Sequence, residues 1–387
     1  MAAGVSRHAL TGAVLFVPAA PDPMAVHQHR FLRIISGEGR GPLDAAARGV
    51  LWAASWCYRR AVDYRNRRYD RNPALTTWLD RPVISVGNIT TGGAGKTPLV
   101  VWLAQRLIEL GRRPAVVCRG YKAPTSEPND EMRLICRRVP RAVCISNPHR
   151  IAAAQYAIEE EGAEVIVLDD GFQHRGLGRL LDIVLVDATC PFGYGHLLPR
   201  GLLREPVENL SRAHLIVLTR CDQVGGSELA RISERISRAA PGKPILRSEH
   251  RVVAVTDLNG HGTAEGATDG RRALCFAAVG NPRSFARTCE ILGYELVRRV
   301  WWPDHHHYRV ADAEEVMSLA RGVAGGGADV LLTTEKDAVK LAHLPVVWWP
   351  PVRVVQIEIQ FREGGDRILL NKLREALETC GRAVRTA

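Results

Sequence analysis

The sequence has no C-x-x-C pair. Its nine cysteines stand apart at 57, 118, 136, 144, 190, 221, 275, 289 and 380. An odd, scattered set excludes a paired-thiol zinc framework and a disulfide scaffold, and it fits a reducing cytosol. Aromatic residues are only 6 % of the chain, too few to favour a binder that stacks single-stranded bases. Internal repeats and long low-complexity tracts are absent. Against these absences stand 387 residues with 46 % apolar and 24 % charged side chains, the composition of a globular chain. That length predicts about two domains, each with its own core. The 52 basic and 41 acidic residues leave a net charge of +11, which points to an anionic partner: nucleic acid, a phosphorylated small molecule or an acidic membrane.

Residues 1–41 contain a short apolar run, 10–20, behind Arg7. It looks like a weak signal-peptide core, but the plainer expectation is a poorly ordered leader, with Met24 as an alternative start. Pro42 opens an amphipathic segment over 42–72, in which Leu43, Ala47, Val50, Leu51, Ala54, Tyr58 and Val62 share one side at helical spacing. Arg48, Arg59 and Arg60 interrupt it, and its apolar run falls short of the ~20 residues that cross a bilayer. Trp52 and Trp56 stand one turn apart, and six Arg against two Asp follow between 59 and 71. This pattern has two readings, a membrane-interface helix or an ordinary helix packed on the domain with a solvated basic end.

From residue 82 onward, short continuous apolar strands (VISVGN, AVVC, VIVLD, DIVLVD, LIVLT) alternate with helical segments. Such strands belong to a parallel sheet covered on both faces. A polar, Gly/Pro-punctuated stretch near 224–245 precedes a second α/β set. The expected class is therefore α/β, with a parallel-sheet domain of P-loop NTPase type over 73–235, a second, smaller α/β domain over 236–387, and the 42–72 helix in front.

The sharpest local signal is the run from Thr90 through Thr91, Gly92, Gly93, Ala94, Gly95 and Lys96 to Thr97, between a strand and a helix. It follows the phosphate-loop pattern G-x-x-x-x-G-K-[ST], except that Thr90 stands at the first Gly. Backbone N–H groups and the helix N-terminus would wrap a phosphate, Lys96 would neutralise it and Thr97 would face Mg²⁺. Asp169-Asp170, ending the apolar run VIVLD, supply the acidic partner that such a loop needs for metal and nucleophile. Thr219-Arg220-Cys221-Asp222 is similar to the guanine-reading [NT]-K-x-D signature with Arg for Lys. It keeps a P-loop GTPase, of metallochaperone or regulatory type, as the alternative reading.

Taken in order, SVGNITTGGAGKTP, CRGY, VIVLDDGFQH, FGYGHLLPRGLLREP, GNP, WPDHHHY and TTEKDAVKL make the chain resemble the tetraacyldisaccharide 4′-kinase family over about residues 43–345. The resemblance implies transfer of the ATP γ-phosphate to the 4′-hydroxyl of a lipid A disaccharide precursor. It further implies Mg²⁺, a lipid-linked disaccharide substrate and work at the cytoplasmic face of the inner membrane, on an anionic membrane surface. Neither nucleic acid nor a stable protein partner is expected.

Residue by residue, the resemblance places ATP on Thr90–Thr97. It places Asp169 and Asp170 beside Mg²⁺ and the phosphates, and Gln173, His174, Arg119, Tyr121, Arg204 and Glu205 along the substrate. Asn129-Asp130-Glu131-Met132 looks like the family's Gly-Asp-Glu-Pro, whose Asp activates the sugar hydroxyl. The base is thus Asp130, or Glu131 one residue on, and Glu131 also joins Thr97 and Asp169 as a candidate metal ligand. His305 is implied as the partner that orients Asp130, which would put the site between the two halves. Taken without the resemblance, His305–His307 also fit a surface or metal-binding run. Thr334-Glu335-Lys336-Asp337 fits a cap or salt bridge at a strand end, and Gly280-Asn281-Pro282 a β–α turn.

Overall fold

The structure, a computed structural model, describes residues 23–120, 129–262, 270–322 and 327–385. Residues 1–22 of the expected leader and Tyr121 lie outside the described residues. Within the expected leader, Pro23–Ser36 form helix α1, followed by the long helix α2, Pro42–Arg71.

The first half is built on β1 (Val83–Asn88), β2 (Pro114–Cys118), β3 (Val143–Ser146), β4 (Val165–Asp169), β5 (Leu181–Asp187) and β6 (Leu215–Thr219). The helices between these strands are α3 (Lys96–Glu109), α4 (Asp130–Arg138) and α5 (Arg150–Glu159), and α6 (Gly226–Ala239) follows β6. Every residue of β1, β2, β4, β5 and β6 is buried. That explains why they read as unbroken apolar runs: helices cover both sheet faces.

The second half comprises β7 (Ile245–Thr256), β8 (Arg272–Ala277), β9 (Glu295–Trp301), β10 (Val330–Thr334) and β11 (Val352–Phe361). Its helices are α7 (Pro282–Ile291), α8 (Val310–Arg321), α9 (Glu335–Leu341) and α10 (Gly365–Arg385).

All eleven strands form one sheet in the order β3-β2-β4-β1-β5-β6-β7-β11-β10-β8-β9. β7 is the joint: it pairs parallel with β6 and antiparallel with β11. The parallel strands beyond it therefore run opposite to those of the first half. The sheet curls, so that α3 packs on β11, with Trp102 edge-on to Phe361 at 5.3 Å between ring centroids. One core cluster holds Leu99, Leu103 and Leu107 of α3 together with Ile359, Leu369 and Leu373 from the far end of the chain. Each such buried side chain contributes roughly 1.5–3 kcal/mol, so the halves are joined by apolar burial as well as by strand pairing. The division expected at residue 235 falls inside α6, whose Leu229, Ile232 and Ile236 are buried in the first half's core.

Helix α2 corrects the expectation of a single apolar face turned one way. Leu51, Tyr58 and Val62 turn toward the protein, but Leu43, Val50 and Ala54 are exposed. The inward stripe carries polar groups. Ser55 Oγ donates to the carbonyl of Leu197 at 2.9 Å, Tyr58 OH donates to that of Arg204 at 3.0 Å, and Asn66 Nδ2 reaches Glu205 at 3.3 Å. The helix is seated by satisfied buried hydrogen bonds, which hydrophobic periodicity does not register. Among the described residues, no helix is long and apolar enough to cross a membrane.

Candidate active site

The carboxyl ends of β1 and β4 lie side by side, and the two turns that follow them build the centre of the site. Asn88, at the end of β1, donates through Nδ2 to the carbonyl of Thr90 at 2.8 Å. Thr90 forms a bridge with Leu203, and Thr91 N donates to the carbonyl of Leu202 at 2.7 Å. The loop's start is thus zipped to the 197–205 segment in ordinary backbone geometry, so Thr can stand where the usual pattern has Gly. Left-handed φ occurs further on, at Gly92 (+109°) and Gly95 (+85°), where glycine is present. Gly93 faces Gly280 of the second half so closely that a Cβ on Gly280 would lie 2.5 Å from the Gly93 nitrogen. The β8–α7 turn is therefore a wall of the phosphate loop.

Lys96 Nζ lies 3.2 Å from Asn88 Oδ1 and 3.3 Å from Asp170 Oδ1. Arg204 Nη1 contacts both carboxylate oxygens of Asp170, at 2.8 and 3.0 Å. Burial opposes charge on Asp170, but Lys96 and Arg204 outweigh it and hold the carboxyl well below the usual range. Asp169 is the opposite case: burial pushes it up to about 6 against the pull of Lys96, and its Oδ1 is buried without a partner. Adjacent carboxylates with separated acidities mark a working site.

Across the cleft, α4 and the 304–308 segment bring the expected acid–histidine pair together. His305 Nδ1 lies 3.7 Å from Asp130 Oδ2, and its Nε2 lies 3.5 Å from Glu131 Oε1. Burial opposes the Asp130 charge, but His305 and Lys340 hold its carboxyl below the usual value. Of the neighbouring histidines, His306 pairs with Asp312 at 3.1 Å and stacks on Trp302, while His307 is exposed. The three do not converge on a metal, and no group of His, Cys, Asp and Glu suited to one occurs among the described residues.

One cavity of about 720 Å³ joins these parts. It is lined by Thr90–Thr97, Arg119, Glu131, Asp169, Asp170, Arg204, His305 and, on an apolar side, Trp102, Val355 and Ile357.

Other expected site residues are placed elsewhere. Glu205 does not line the cavity. It is fully buried and held by Arg65 and Arg212 at 2.7 Å each and by Asn209 at 2.7 Å, so it anchors α2 rather than meeting a ligand. Gln173 Nε2 donates to the Asn88 carbonyl at 2.9 Å and braces β1. Half-buried His174, whose pKa burial and then Arg150 lower to about 4, stands behind the acidic turn. Glu131 lines the cavity and is engaged by Lys336 at 2.6 Å, a charge pair with which a metal there would have to compete.

Two residues, Arg150 and Lys340, escaped the sequence reading, and Lys336 makes the kind of salt bridge its run allowed. Arg150 donates to the Asp170 carbonyl at 2.8 Å, and Lys336 and Lys340 hold the acidic pair of α4. The TTEKDAVK run carried the two lysines; for Arg150 no sequence signal existed. In the guanine-like run, Arg220 is paired with Asp187, so it is not the free cation that signature uses.

A phosphate loop with its acidic strand end, facing an acid–histidine pair across a cleft, defines a phosphotransferase of the P-loop class. The tetraacyldisaccharide-1-P 4′-kinase family model matches residues 47–374, and the chain belongs to that family. Curated relatives named tetraacyldisaccharide 4′-kinase include one from Anaeromyxobacter sp. (strain K), 38 % identical over 85 % of this chain and 91 % of its own length. Another, from Syntrophus aciditrophicus, is 36 % identical over 84 % and 93 %. Among solved structures, LpxK from Aquifex aeolicus, crystallised in complex with ATP, superposes with a TM-score of 0.66 at 25 % identity over 86 % of this chain and 99 % of that one. The family is one of kinases, and the GTPase alternative has no support.

Proposed function

We propose that this chain transfers the γ-phosphate of ATP to the 4′-hydroxyl of a tetraacyl disaccharide 1-phosphate, with Asp130 as the base. The observation that carries the reading is the pairing of Asp130 with His305, which lines the same cavity as the phosphate loop. A sugar hydroxyl is a weak nucleophile, and an ionised carboxylate within reach accepts its proton as the new P–O bond forms. His305 orients that carboxylate. Lys96 spreads the charge of the transferring phosphoryl group, and Arg204 holds Asp170 in place beside it.

The buried, unpartnered oxygen of Asp169 fits a hard cation. Thr97 and Asp169 would hold Mg²⁺, which when bound neutralises phosphate charge. Arg119 and Arg204, both lining the cavity, are the proposed contacts to the anionic substrate.

We also propose that the protein works at the cytoplasmic face of an anionic membrane through the outer side of α2. Leu43, Val50, Trp52, Trp56 and Tyr64 are exposed there, and Arg60 stacks 4.6 Å from the Trp56 ring. Of the six arginines between 59 and 71, Arg65 is spent on Glu205, and the other five are exposed. The two-part organisation stands as a proposal too, with β7 shared by both parts.

The test is ³²P transfer from ATP to the tetraacyl disaccharide 1-phosphate by purified protein with Mg²⁺ in detergent. Labelled bisphosphate lipid is expected. Failure to form it, with folded protein, sinks the reading.

A further inference from the structure

The TTEKDAVK segment is the motif that the proposed chemistry does not use, although it sits against that chemistry. Thr334 caps α9: its Oγ1 accepts from Asp337 N, and it donates to Asp337 Oδ2 at 2.7 Å. Asp337 is fully buried and also accepts from Ala278 N at 3.1 Å, which pins the first turn of α9 to the end of β8. From this fixed turn two lysines one helical turn apart, Lys336 and Lys340, project toward α4. Lys336 Nζ lies 2.6 Å from Glu131 and 2.8 Å from Asp304. Lys340 Nζ lies 3.3 Å from Asp130 and 3.3 Å from Asp337, and it donates to the His306 carbonyl at 3.2 Å. Its side chain is 7 % exposed. Each ammonium therefore joins one carboxylate of α4 to groups of the second half.

The geometry points to Lys336 and Lys340 as positioning residues, two clips that fix α4 and the His305 segment against each other so that Asp130 is held at the acceptor. This inference rests on the proposed kinase function. An ammonium beside a base makes that base weaker, so the clips cannot act by raising the reactivity of Asp130. Their gain is orientation. A misplacement of about 1 Å in a catalytic group costs on the order of 10²-fold, whereas a modest loss of basicity costs far less under ordinary Brønsted behaviour. The two lysines also differ. Lys340 touches the base itself, while Lys336 touches its neighbour and Asp304, next to His305. Both are partly buried ion pairs, so removing one partner leaves a carboxylate exposed to repulsion from the next, and the acidic set Asp130, Glu131, Asp304 and Asp337 would spread apart.

The experiment measures kcat and KM for both substrates in Lys340→Met, Lys340→Arg, Lys336→Met and Lys336→Arg, with backbone hydrogen exchange of α4. Removing the charge at either position should lower kcat by ~10–100-fold while KM for ATP stays within about twofold, because the phosphate loop is untouched. The Arg variants should recover most of the rate, and α4 amides should exchange faster in the Met variants. Met and Arg variants impaired alike, or kcat and exchange unchanged in both Met variants, would overturn the inference. If Lys340→Met does not fold, Lys336→Met decides alone by the same split. If the wild type transfers no phosphate to the lipid, the functional reading fails, and the exchange of α4 in Lys336→Met still judges the clip.

Discussion

Asp169 and Asp170 are adjacent, yet their surroundings drive them apart. Asp170 meets Lys96 and Arg204 and stays ionised, whereas burial keeps the Asp169 proton until about pH 6. A carboxyl must lose its proton to take a cation, so metal binding competes with protonation. With the folded pKa near 6, the affinity of the ligand-free protein for Mg²⁺-nucleotide should be flat above that pH. Below it, affinity should fall by about tenfold per unit. Calorimetric titrations between pH 5 and 8 check this, and an affinity independent of pH would show that Asp169 is not a ligand. Glu205 belongs to the same scale. The motif that contains it was legible, but its role was not, because burial and the partners Arg65 and Arg212 come from segments 140 and 7 residues away. Glu205→Gln should destabilise the fold by ~3–5 kcal/mol, since two guanidinium groups lose their counter-charge. Denaturant unfolding would read that loss, with KM for ATP little changed in the protein that remains folded.

At the scale of elements, the strands and the phosphate loop could be read directly. β1, β4, β5 and β6 are buried on both faces, so their apolar runs carry no competing signal. Helix α2 was half legible, because its inner stripe uses Ser55, Tyr58 and Asn66 to hydrogen-bond the 197–205 segment. Hydropathy counts Ser55 and Asn66 as outward. Trp52 and Trp56, by contrast, are 61 % and 55 % exposed. Changing both to Ser should leave stability within about 0.5 kcal/mol, as at ordinary surface sites. It should nevertheless weaken cosedimentation with anionic liposomes several-fold, because interfacial binding scales with buried apolar area. Unchanged sedimentation would leave the outer face of α2 without a membrane role.

For the whole molecule, the joint was the hardest part to foresee. β7 alternates buried and partly exposed positions and serves two neighbours of opposite direction. In sequence it reads as the polar end of a linker rather than as the strand that welds the halves. The curl it permits sets Gly280 on Gly93 and His305 beside Asp130, residues separated by 187 and 175 positions. The Asp130–His305 pair was accessible from the family resemblance. The partners of the α9 lysines were not, because Glu131 and Asp130 meet them only once the sheet has curled.

The central claim is that the cleft between the halves holds the acceptor's base and that this base is Asp130. Single-turnover phosphoryl transfer by Asp130→Asn at saturating ATP tests it most directly. The account predicts a rate lower by ~10²–10⁴-fold, the usual worth of a positioned general base, with ATP affinity within about threefold of the wild type and a milder loss for Glu131→Gln. A wild-type rate in Asp130→Asn, or a severe loss confined to Glu131→Gln, would contradict it.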